Sequence, residues 1–272
     1  MPNYPFKPIK AYDNTDFLNS PDGRLLRILS EYQEPLARFR ELDLKDTIVV
    51  FGSARILSHE EAEAALEKAR AEDGDIAKAE RDLDMSKYYE AARTLSFKLT
   101  EWSKSLPEEY GRRFVICSGG GPGIMEAANR GASEAKGLNI GLNISLPFEQ
   151  NENPHITREL AFEFHYFFMR KFWFTYLAKA MIVMPGGFGT LDEFMEVVTL
   201  VQTLKIKKPL PIVLFGKEFW SKVLQFQPLI DAGTISPTDT DLFFQTDSVD
   251  EAYEFIVGKL LDQGLEVTEP TL

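Results

Sequence analysis

A glycine-rich segment in the second half of the chain combines residue types that bind an anion. Apolar residues 180–184 predict a buried strand, and apolar positions three to four residues apart predict a helix that begins at Leu191. The turn between them consists of Gly186, Gly187, Phe188, Gly189 and Thr190. Glycines let the backbone approach a ligand closely, and the N–H groups and dipole of a helix start favour negative charge. The segment therefore predicts a phosphate site.

Charged residues on both sides of this turn indicate chemistry as well as binding. Asp192 and Glu193 fall in the first turn of the predicted helix, beside the anion. Upstream, Arg170 and Lys171 interrupt an otherwise very apolar segment, and a buried cation needs a partner. An anion cradle, a carboxylate and a guanidinium in one crevice indicate chemistry on a phosphorylated small molecule.

Each of these charged residues also has a purely structural interpretation. Thr190 and Glu193 have the spacing of a capping box, in which the threonine caps the helix and the glutamate returns to its backbone. Arg170 would lay its stem over apolar surface. Glu126 would favour the dipole of the helix in whose first turns it lies. Residue types and spacing alone leave both interpretations open.

Strands alternate with helices along most of the chain, which predicts an α/β fold. Strands are expected near residues 47–51, 114–117, 139–146, 161–164, 180–184, 211–215 and 242–245. Residues 60–104 are rich in helix formers, and Gly74 and Asp84 predict a division into two helices, the second from about Ser86. The alternation predicts a doubly wound, mostly parallel sheet with helices on both faces.

Two further glycine turns end predicted strands of this sheet. Gly52 and Ser53 follow the first strand, and the second strand is followed by Ser118, Gly119, Gly120, Gly121, Pro122 and Gly123. Ligands of parallel sheets bind beyond the carboxyl ends of the strands, so the three turns are expected to converge. Their spacing matches neither the dinucleotide fingerprint nor the P-loop, which argues against a dehydrogenase or an ATPase.

Length and composition indicate one large domain. Its 272 residues suffice for a single α/β domain over residues 45–272, preceded by an extension over residues 1–44 that carries an amphipathic helix. A net charge of −12 argues against a broad nucleic-acid surface. His59, His155 and His165 lack metal-ligand spacing, so no metal is predicted.

The expected location is the cytoplasm. A single cysteine, Cys117, permits no intramolecular disulfide and is consistent with a reducing compartment. The first residues lack the apolar core of a signal peptide, and no segment reaches the length of a membrane span.

Five segments together resemble the LONELY GUY family. They are GSAR at 52–55, SGGGPGIMEAANRGA at 118–132, GLNISLPFEQ at 141–150, MRK at 169–171 and PGGFGTLDE at 185–193. The resemblance covers roughly residues 45–225 and implies a Rossmann-like fold, usually in a homodimer with the site near the subunit interface. It implies hydrolysis of a nucleoside 5′-monophosphate, without a cofactor, to the free base and ribose 5-phosphate.

The resemblance also implies roles for individual residues. Arg170 and Glu193 correspond to the family's catalytic pair, and residues 186–190 to its phosphate loop. The implied substrate-binding residues are Gly52, Ser53, Ser118, Gly119, Gly120, Gly121, Glu126, Met169, Lys171, Gly186, Gly187, Phe188, Gly189, Thr190, Asp192 and Thr199.

The implied substrate is AMP or an N6-modified AMP of the cytokinin riboside 5′-monophosphate type. Glu126 replaces a glycine of the plant-type members, and the N-terminal extension and residues 60–104 indicate the longer bacterial type. The alternative is a non-catalytic nucleotide-binding protein, similar to the carriers of molybdenum cofactor.

Overall fold

A computed structural model describes residues 8–147 and 153–265, so that part of the loop at 147–160 and of the segment at 141–150 lies outside the described residues. The strands are β1 Thr47–Phe51, β2 Val115–Ser118, β3 Asn139–Ile144, β4 Ala161–Phe164, β5 Ala178–Val183, β6 Ile212–Phe215 and β7 Phe244–Thr246. The helices are α1 Thr15–Asn19, α2 Arg24–Glu41, α3 His59–Ala71, α4 Ile76–Lys104, α5 Ile124–Glu134, α6 Phe167–Tyr176, α7 Phe188–Gln202, α8 Lys217–Val223, α9 Gln227–Asp231 and α10 Val249–Asp262.

The seven strands form one sheet in the order β4-β3-β2-β1-β5-β6-β7, and every pair is parallel. The chain starts in the middle with β1, builds outward to β4, and then crosses to β5 on the other side of β1. This reversal places the switch point of the sheet between β1 and β5. The predicted Rossmann-like, doubly wound α/β fold is confirmed.

Alternating side chains of the central strands build two separate cores. Val49 and Phe51 of β1 belong to the core that also contains residues of α2, α6 and α7. Ile48 and Val50 belong to the opposite core, which contains residues of α4, α5 and α10. Strands of a parallel sheet that is covered on both faces have continuous apolar sequences, and β1 is an example. The two cores fix the strand ends on which the loops of the site depend.

The N-terminal helix α2 supports the helix that carries Arg170. Phe39 of α2 is buried in the first core, and its ring lies 5.3 Å from that of Trp173 in α6. Glu31 accepts hydrogen bonds from the N–H groups of His165 (2.7 Å) and Tyr166 (3.3 Å), just before α6 begins. The carbonyl of Glu31 also accepts one from Trp173 Nε1 at 2.9 Å. The extension therefore anchors the start of α6.

The charged region between β1 and β2 differs from the predicted pattern. Gly74 does separate two helices, but α4 begins at Ile76 and continues through Asp84 without a break. Burial explains the difference, because Tyr88, Tyr89 and the following turns of α4 pack into the second core. Tertiary packing of this kind outweighs the weak helix propensity of one aspartate.

The structure bears on three further features: membrane-spanning helices, metal-ligand clusters and the single cysteine. Across residues 8–147 and 153–265, no helix is long and apolar enough to cross a membrane. In the same ranges, no group of three or more His, Cys, Asp or Glu residues is arranged to hold a metal ion. Cys117 is buried at β2, and burial raises the pKa of its thiol, so it packs as a small apolar side chain.

Two helical glycines provide a matched test of the packing between α4 and α5. A Cβ at Gly131 would lie 2.0 Å from the carbonyl oxygen of Arg93 in α4, whereas a Cβ at Gly258 in α10 meets no atom within 4 Å. Gly131→Ala is expected to lower the free energy of unfolding by about 1–3 kcal/mol through overpacking. Gly258→Ala is expected to raise it by about 0.5–1 kcal/mol. Urea denaturation measures both, and effects of equal sign would contradict the packing described.

Candidate active site

A cavity of about 670 Å³ lies at the switch point of the sheet. Its walls come from the segments after β1, β2 and β5 and from α6. The backbone of Ser53 joins all three glycine turns, because its N–H donates to the carbonyl of Pro185 and its carbonyl accepts from the N–H of Ile124, both at 3.0 Å. The three turns therefore converge as the sequence predicted.

Helix α7 begins at Phe188, three residues before the predicted start. The residue before it, Gly187, has an extended, non-helical conformation, and the helix start has no side-chain cap. Gly189 and Thr190 lie inside the first turn, and Asp192 and Glu193 lie beyond it. The prediction that both acids occupy the first turn was wrong. The capping box is likewise absent, because Phe188, Gly189 and Thr190, which were expected to precede the helix, are its first residues.

The start of α7 presents its backbone to the cavity. The N–H groups of the first helical residues, Phe188, Gly189 and Thr190, have no carbonyl partner within the helix. A Cβ built on Gly187 or Gly189 would meet no atom within 4 Å, so these backbone atoms border open space. Unpaired N–H groups and the positive end of the helix dipole make this surface suitable for an anion.

Glu193 is a buried carboxylate that points into the same cavity. Its side chain lines the cavity, the residue is 6% exposed, and Oε2 has no hydrogen-bond partner in the part of the chain that the structure describes. Burial raises the pKa of Glu193 from the usual 4.5 to about 7, although the charges of Lys171 and Arg170 lower it. The side chain is therefore partly ionised near neutral pH.

Arg170 is fixed by two carbonyl groups at strand ends. Its Nε donates to the carbonyl of Leu142 at 2.7 Å, and Nη2 donates to the carbonyl of Gly119 at 3.4 Å. A Cβ at Gly119 would lie 2.5 Å from Nη2, so a larger residue there would displace the guanidinium. Burial lowers the pKa of Arg170, and the charge of Glu193 raises it. The guanidinium also lies 5.1 Å from the ring of Phe174.

Lys171 points away from the cavity, unlike its neighbour Arg170. Its Nζ forms ion pairs of 2.7 Å with both Asp192 and Glu196 on α7. Burial lowers the pKa of Lys171, but the hydrogen bonds with these two acids outweigh it and the net change is upward. Lys171, Asp192 and Thr199 line a groove on α6 and α7, and Phe188 and Asp192 border both this groove and the cavity. Lys171 thus clamps α6 against α7.

The second glycine turn is held by a buried polar network. Ser118 Oγ donates to Asn129 at 2.6 Å and accepts from the N–H of Gly120 at 3.0 Å. Gly120 has a φ of 70°, and a Cβ there would lie 2.4 Å from the side chain of Asn143. Glu126 accepts a 2.9 Å hydrogen bond from the hydroxyl of Tyr89 in α4. These contacts stabilise the turn and the start of the helix that follows it.

The predicted binding residues consequently divide into two groups. Those that line the cavity are Gly52, Ser53, Gly119, Arg170, Gly187, Phe188, Gly189, Thr190, Asp192 and Glu193. Those that do not line it are Ser118, Gly120, Gly121, Glu126, Met169, Lys171, Gly186 and Thr199. Within the second group, Ser118 and Met169 are buried and directly precede the lining residues Gly119 and Arg170.

Sequence reasoning missed most of the apolar wall. The additional lining residues are Phe51, Ala54, Arg55, Met125, Ile144, Leu146 and Phe167. Arg55 belongs to the GSAR segment, and Met125 is the second residue of α5, so their position after a glycine turn was an available signal. Ile144 and Leu146 carried no such signal, because the pattern of an apolar strand end is the same whether it faces a core or a cavity.

Fold and site together define a Rossmann-like α/β protein with an anion-adapted cavity at its switch point. A family model described as "possible lysine decarboxylase" matches residues 125–256. A curated relative, cytokinin riboside 5′-monophosphate phosphoribohydrolase LOG7 of Arabidopsis thaliana, is 37% identical over 60 residues, which are 22% of this chain and 28% of the relative. Both matches support the resemblance to the LONELY GUY family, and the chain spans little more than a quarter of the length of this relative.

Solved structures with a similar chain course include two molybdenum cofactor proteins. The carrier protein of Chlamydomonas reinhardtii is 19% identical, with a TM-score of 0.45 over 80% of this chain and 99% of that chain. The binding protein of Rippkaea orientalis is 16% identical, with a TM-score of 0.44 over 80% and 99%.

Glu193→Gln tests the burial of this carboxylate through stability. Because the unfolded chain ionises near pH 4.5 and the folded chain near pH 7, the native protein loses stability as pH rises between these values. The variant is expected to match the native protein near pH 4.5 and to be more stable at pH 8 by about 1–3 kcal/mol. Urea denaturation across this pH range measures the difference.

Glu254→Gln, at an exposed position of α10, is the control and should show no such trend. A difference between Glu193→Gln and the native protein that does not change with pH would contradict the raised pKa.

Proposed function

We propose that this protein hydrolyses the N-glycosidic bond of a nucleoside 5′-monophosphate to the free base and ribose 5-phosphate. The observation that carries the proposal is Glu193, whose Oε2 has no hydrogen-bond partner among the described residues and whose side chain lines the cavity at the start of α7. A site that only bound a nucleotide would gain nothing from this carboxylate, because like charges repel. The similarity to the Arabidopsis phosphoribohydrolase and the resemblance to its family support the same reaction class.

The phosphate of the substrate would lie at the start of α7. There the N–H groups of Phe188, Gly189 and Thr190 supply donors without an ordering cost, and the glycines admit close approach. Glu193 follows Phe188 by five residues, or about 7.5 Å of helix rise. A ribose separates the 5′-phosphate from C1′, so a phosphate at the helix start directs C1′ towards Glu193.

Glu193 would act on the bond between C1′ and the base. As this bond breaks, its electron pair leaves with the base and positive charge develops on the ribose, as in glycosidase reactions. A carboxylate beside C1′ stabilises that charge and aligns a water molecule. The water oxygen bonds to C1′ while its proton passes to Glu193, which returns it to the departing base. No cofactor takes part in this sequence.

Arg170 would hold the sugar and orient Glu193. A guanidinium has five N–H donors, and the carbonyls of Leu142 and Gly119 occupy only part of this set. The remaining donors suit ribose or phosphate oxygens. Its charge, which acts on Glu193, also favours the ionised carboxylate that the reaction requires.

The apolar wall would contact the base. The apolar residues that line the cavity are Met125, Ile144, Leu146, Phe167 and Phe188. The flat faces of the two phenylalanine rings suit a purine ring. We propose AMP or an N6-modified AMP as substrate, in line with the substrate that the name of the Arabidopsis relative gives. Asp192, Gly52 and Ser53 remain predicted substrate contacts at the same cavity.

A second copy of the chain would cover the exposed apolar rim of the cavity. Phe188 is 92% exposed, and Phe167, Phe168 and Met195 are exposed nearby on α6 and α7. Apolar surface of this kind at the edge of a site is typical of an interface. We expect light scattering to give twice the mass of the chain, and Phe188→Asp to give the mass of one chain. A native monomer would contradict the proposed homodimer.

Hydrolysis is tested directly with AMP, GMP, CMP and N6-isopentenyl-AMP, with adenosine as the substrate that lacks phosphate. We expect release of base and ribose 5-phosphate from at least one nucleotide and none from adenosine. Glu193→Gln should lower kcat/KM by about 10²–10⁴-fold while nucleotide binding remains. Glu254→Gln again serves as the control, with unchanged kcat/KM. Binding without release from any nucleotide would favour the non-catalytic carrier.

The pH dependence of the same assay tests the protonation state of Glu193. If the ionised carboxylate is the active form, kcat/KM should fall about tenfold per pH unit below about pH 7, where the free side chain titrates. A rate that falls above pH 7 instead would mean that Glu193 acts as an acid.

A further inference from the structure

Lys179 is a buried cation at the amino end of the sheet, opposite the cavity described above. It is the second residue of β5 and is only 6% exposed. Within residues 8–147 and 153–265, its ammonium group forms no hydrogen bond and no ion pair. Nζ itself reaches solvent, so the ammonium takes its acceptors from water or from a bound anion.

The acid whose charge acts on Lys179 is Asp46, which is already paired. Asp46 and Arg113 form a buried pair, with 2.6 Å between Asp46 Oδ2 and Arg113 Nε. The other oxygen of Asp46 accepts the N–H of Phe114 at 2.6 Å. Arg113 has further partners, among them the carbonyl of Leu265. Lys208 is also buried, and its Nζ donates to the carbonyls of Thr175 and Tyr176, both at 3.0 Å.

The titration of the two lysines reflects their burial first and the neighbouring charges second. Burial lowers the pKa of Lys179, although Asp46 partly opposes this change. Burial and then the charge of Lys179 lower the pKa of Lys208 to about 8. Both lysines would keep their charge more readily if an anion lay between them.

A small cavity lies where these cations meet. It measures about 110 Å³ and is lined by Arg113, Lys179 and Lys208. The rest of its wall consists of Phe114, Pro209, Leu260, Gln263 and Gly264. This volume exceeds the share of about 30 Å³ that a water molecule has in the liquid. It is far below the 300 Å³ or more of pockets that hold drug-sized ligands. A single tetrahedral oxyanion fits this range, whereas a nucleotide does not.

We propose that this cavity binds a small oxyanion, inorganic phosphate or sulfate, through Lys179, Arg113 and Lys208. The ion supplies the ammonium of Lys179 with the acceptor that the described residues lack. Charge-assisted hydrogen bonds of this kind are among the strongest in proteins. Because the three cations belong to segments at the amino ends of β2, β5 and β6, the bound ion ties these strand ends together.

The first experiment measures Tm against phosphate, sulfate and chloride concentration at constant ionic strength. Native protein should gain stability with phosphate or sulfate and not with chloride, and Lys179→Met should weaken oxyanion affinity at least about tenfold. Lys207→Met changes an exposed neighbour of Lys208 and should leave that affinity unchanged. Lys179→Arg keeps the charge and should restore most of it. Equal oxyanion affinity in native protein and Lys179→Met would overturn the proposal.

Stability without oxyanion separates binding from a structural role. If Lys179 serves only as an ion site, Lys179→Met removes a buried charge and should leave Tm in chloride unchanged or raise it. A large loss of Tm in chloride, together with an unchanged response to phosphate, would assign Lys179 to folding alone.

The second experiment locates the ion in unmutated protein, so it does not depend on any variant that folds poorly. Crystals soaked in selenate are expected to show an anomalous selenium peak beside Lys179 Nζ. A peak at the start of α7 reports separately on the proposed phosphate site of the enzyme. Absence of the peak beside Lys179 at selenate concentrations that saturate the thermal response would overturn the proposal.

Discussion

The parallel pairing of β1 with β5 is the constraint on which the rest of the structure depends. Phe51 lies opposite Val183, so the two strands end at the same level. The turns that follow them therefore lie side by side. Both strands are buried on both faces, which leaves their register no freedom to slip. Ser53 then hydrogen-bonds to the turn after β5 and to the start of α5. The cavity exists because these turns are held together.

Buried charge is concentrated at both ends of this sheet, and the two ends have different compositions. At the carboxyl end, Glu193 lies buried near Arg170, and the unpaired N–H groups of α7 lie close by. At the amino end, Asp46 lies buried together with Arg113, Lys179 and Lys208. Strand ends are the places where a parallel sheet can hold such groups, since its interior is filled by apolar side chains. Buried charged side chains lower the stability of the fold, and groups that do so are often found at functional sites.

The N-terminal extension and the ion pairs of Lys171 serve the site indirectly. Glu31 of α2 fixes the start of α6, and Lys171 joins α6 to α7. Arg170 and Glu193 project from these same two helices. The relative placement of the two side chains therefore depends on contacts that themselves lie outside the cavity, as preorganised sites require.

The sequence by itself determined the fold class, the approximate strands and the three glycine turns. Those features are local, because apolar periodicity and glycine act over a few residues. It also identified Arg170 and Glu193 as cavity residues through the family resemblance, although it left their structural interpretations open. The strand bounds differed by one or two residues, as with β2, which begins at Val115 and not at residue 114.

Only the tertiary structure decided the start of α7, the orientation of Lys171 and the burial of Lys179. Helix α7 begins at Phe188, and the turn before it accepts a hydrogen bond from Ser53 through the carbonyl of Pro185. A sequence window does not contain this long-range contact. Lys171 and Arg170 are adjacent in sequence, yet one meets Asp192 and Glu196 while the other meets the carbonyls of Leu142 and Gly119. Lys179, Arg113 and Lys208 belong to segments of three different strands, yet they line one cavity. Proximity of this kind produces no periodic pattern in the sequence. Contacts between distant segments are set by packing, and packing is what one-dimensional patterns omit.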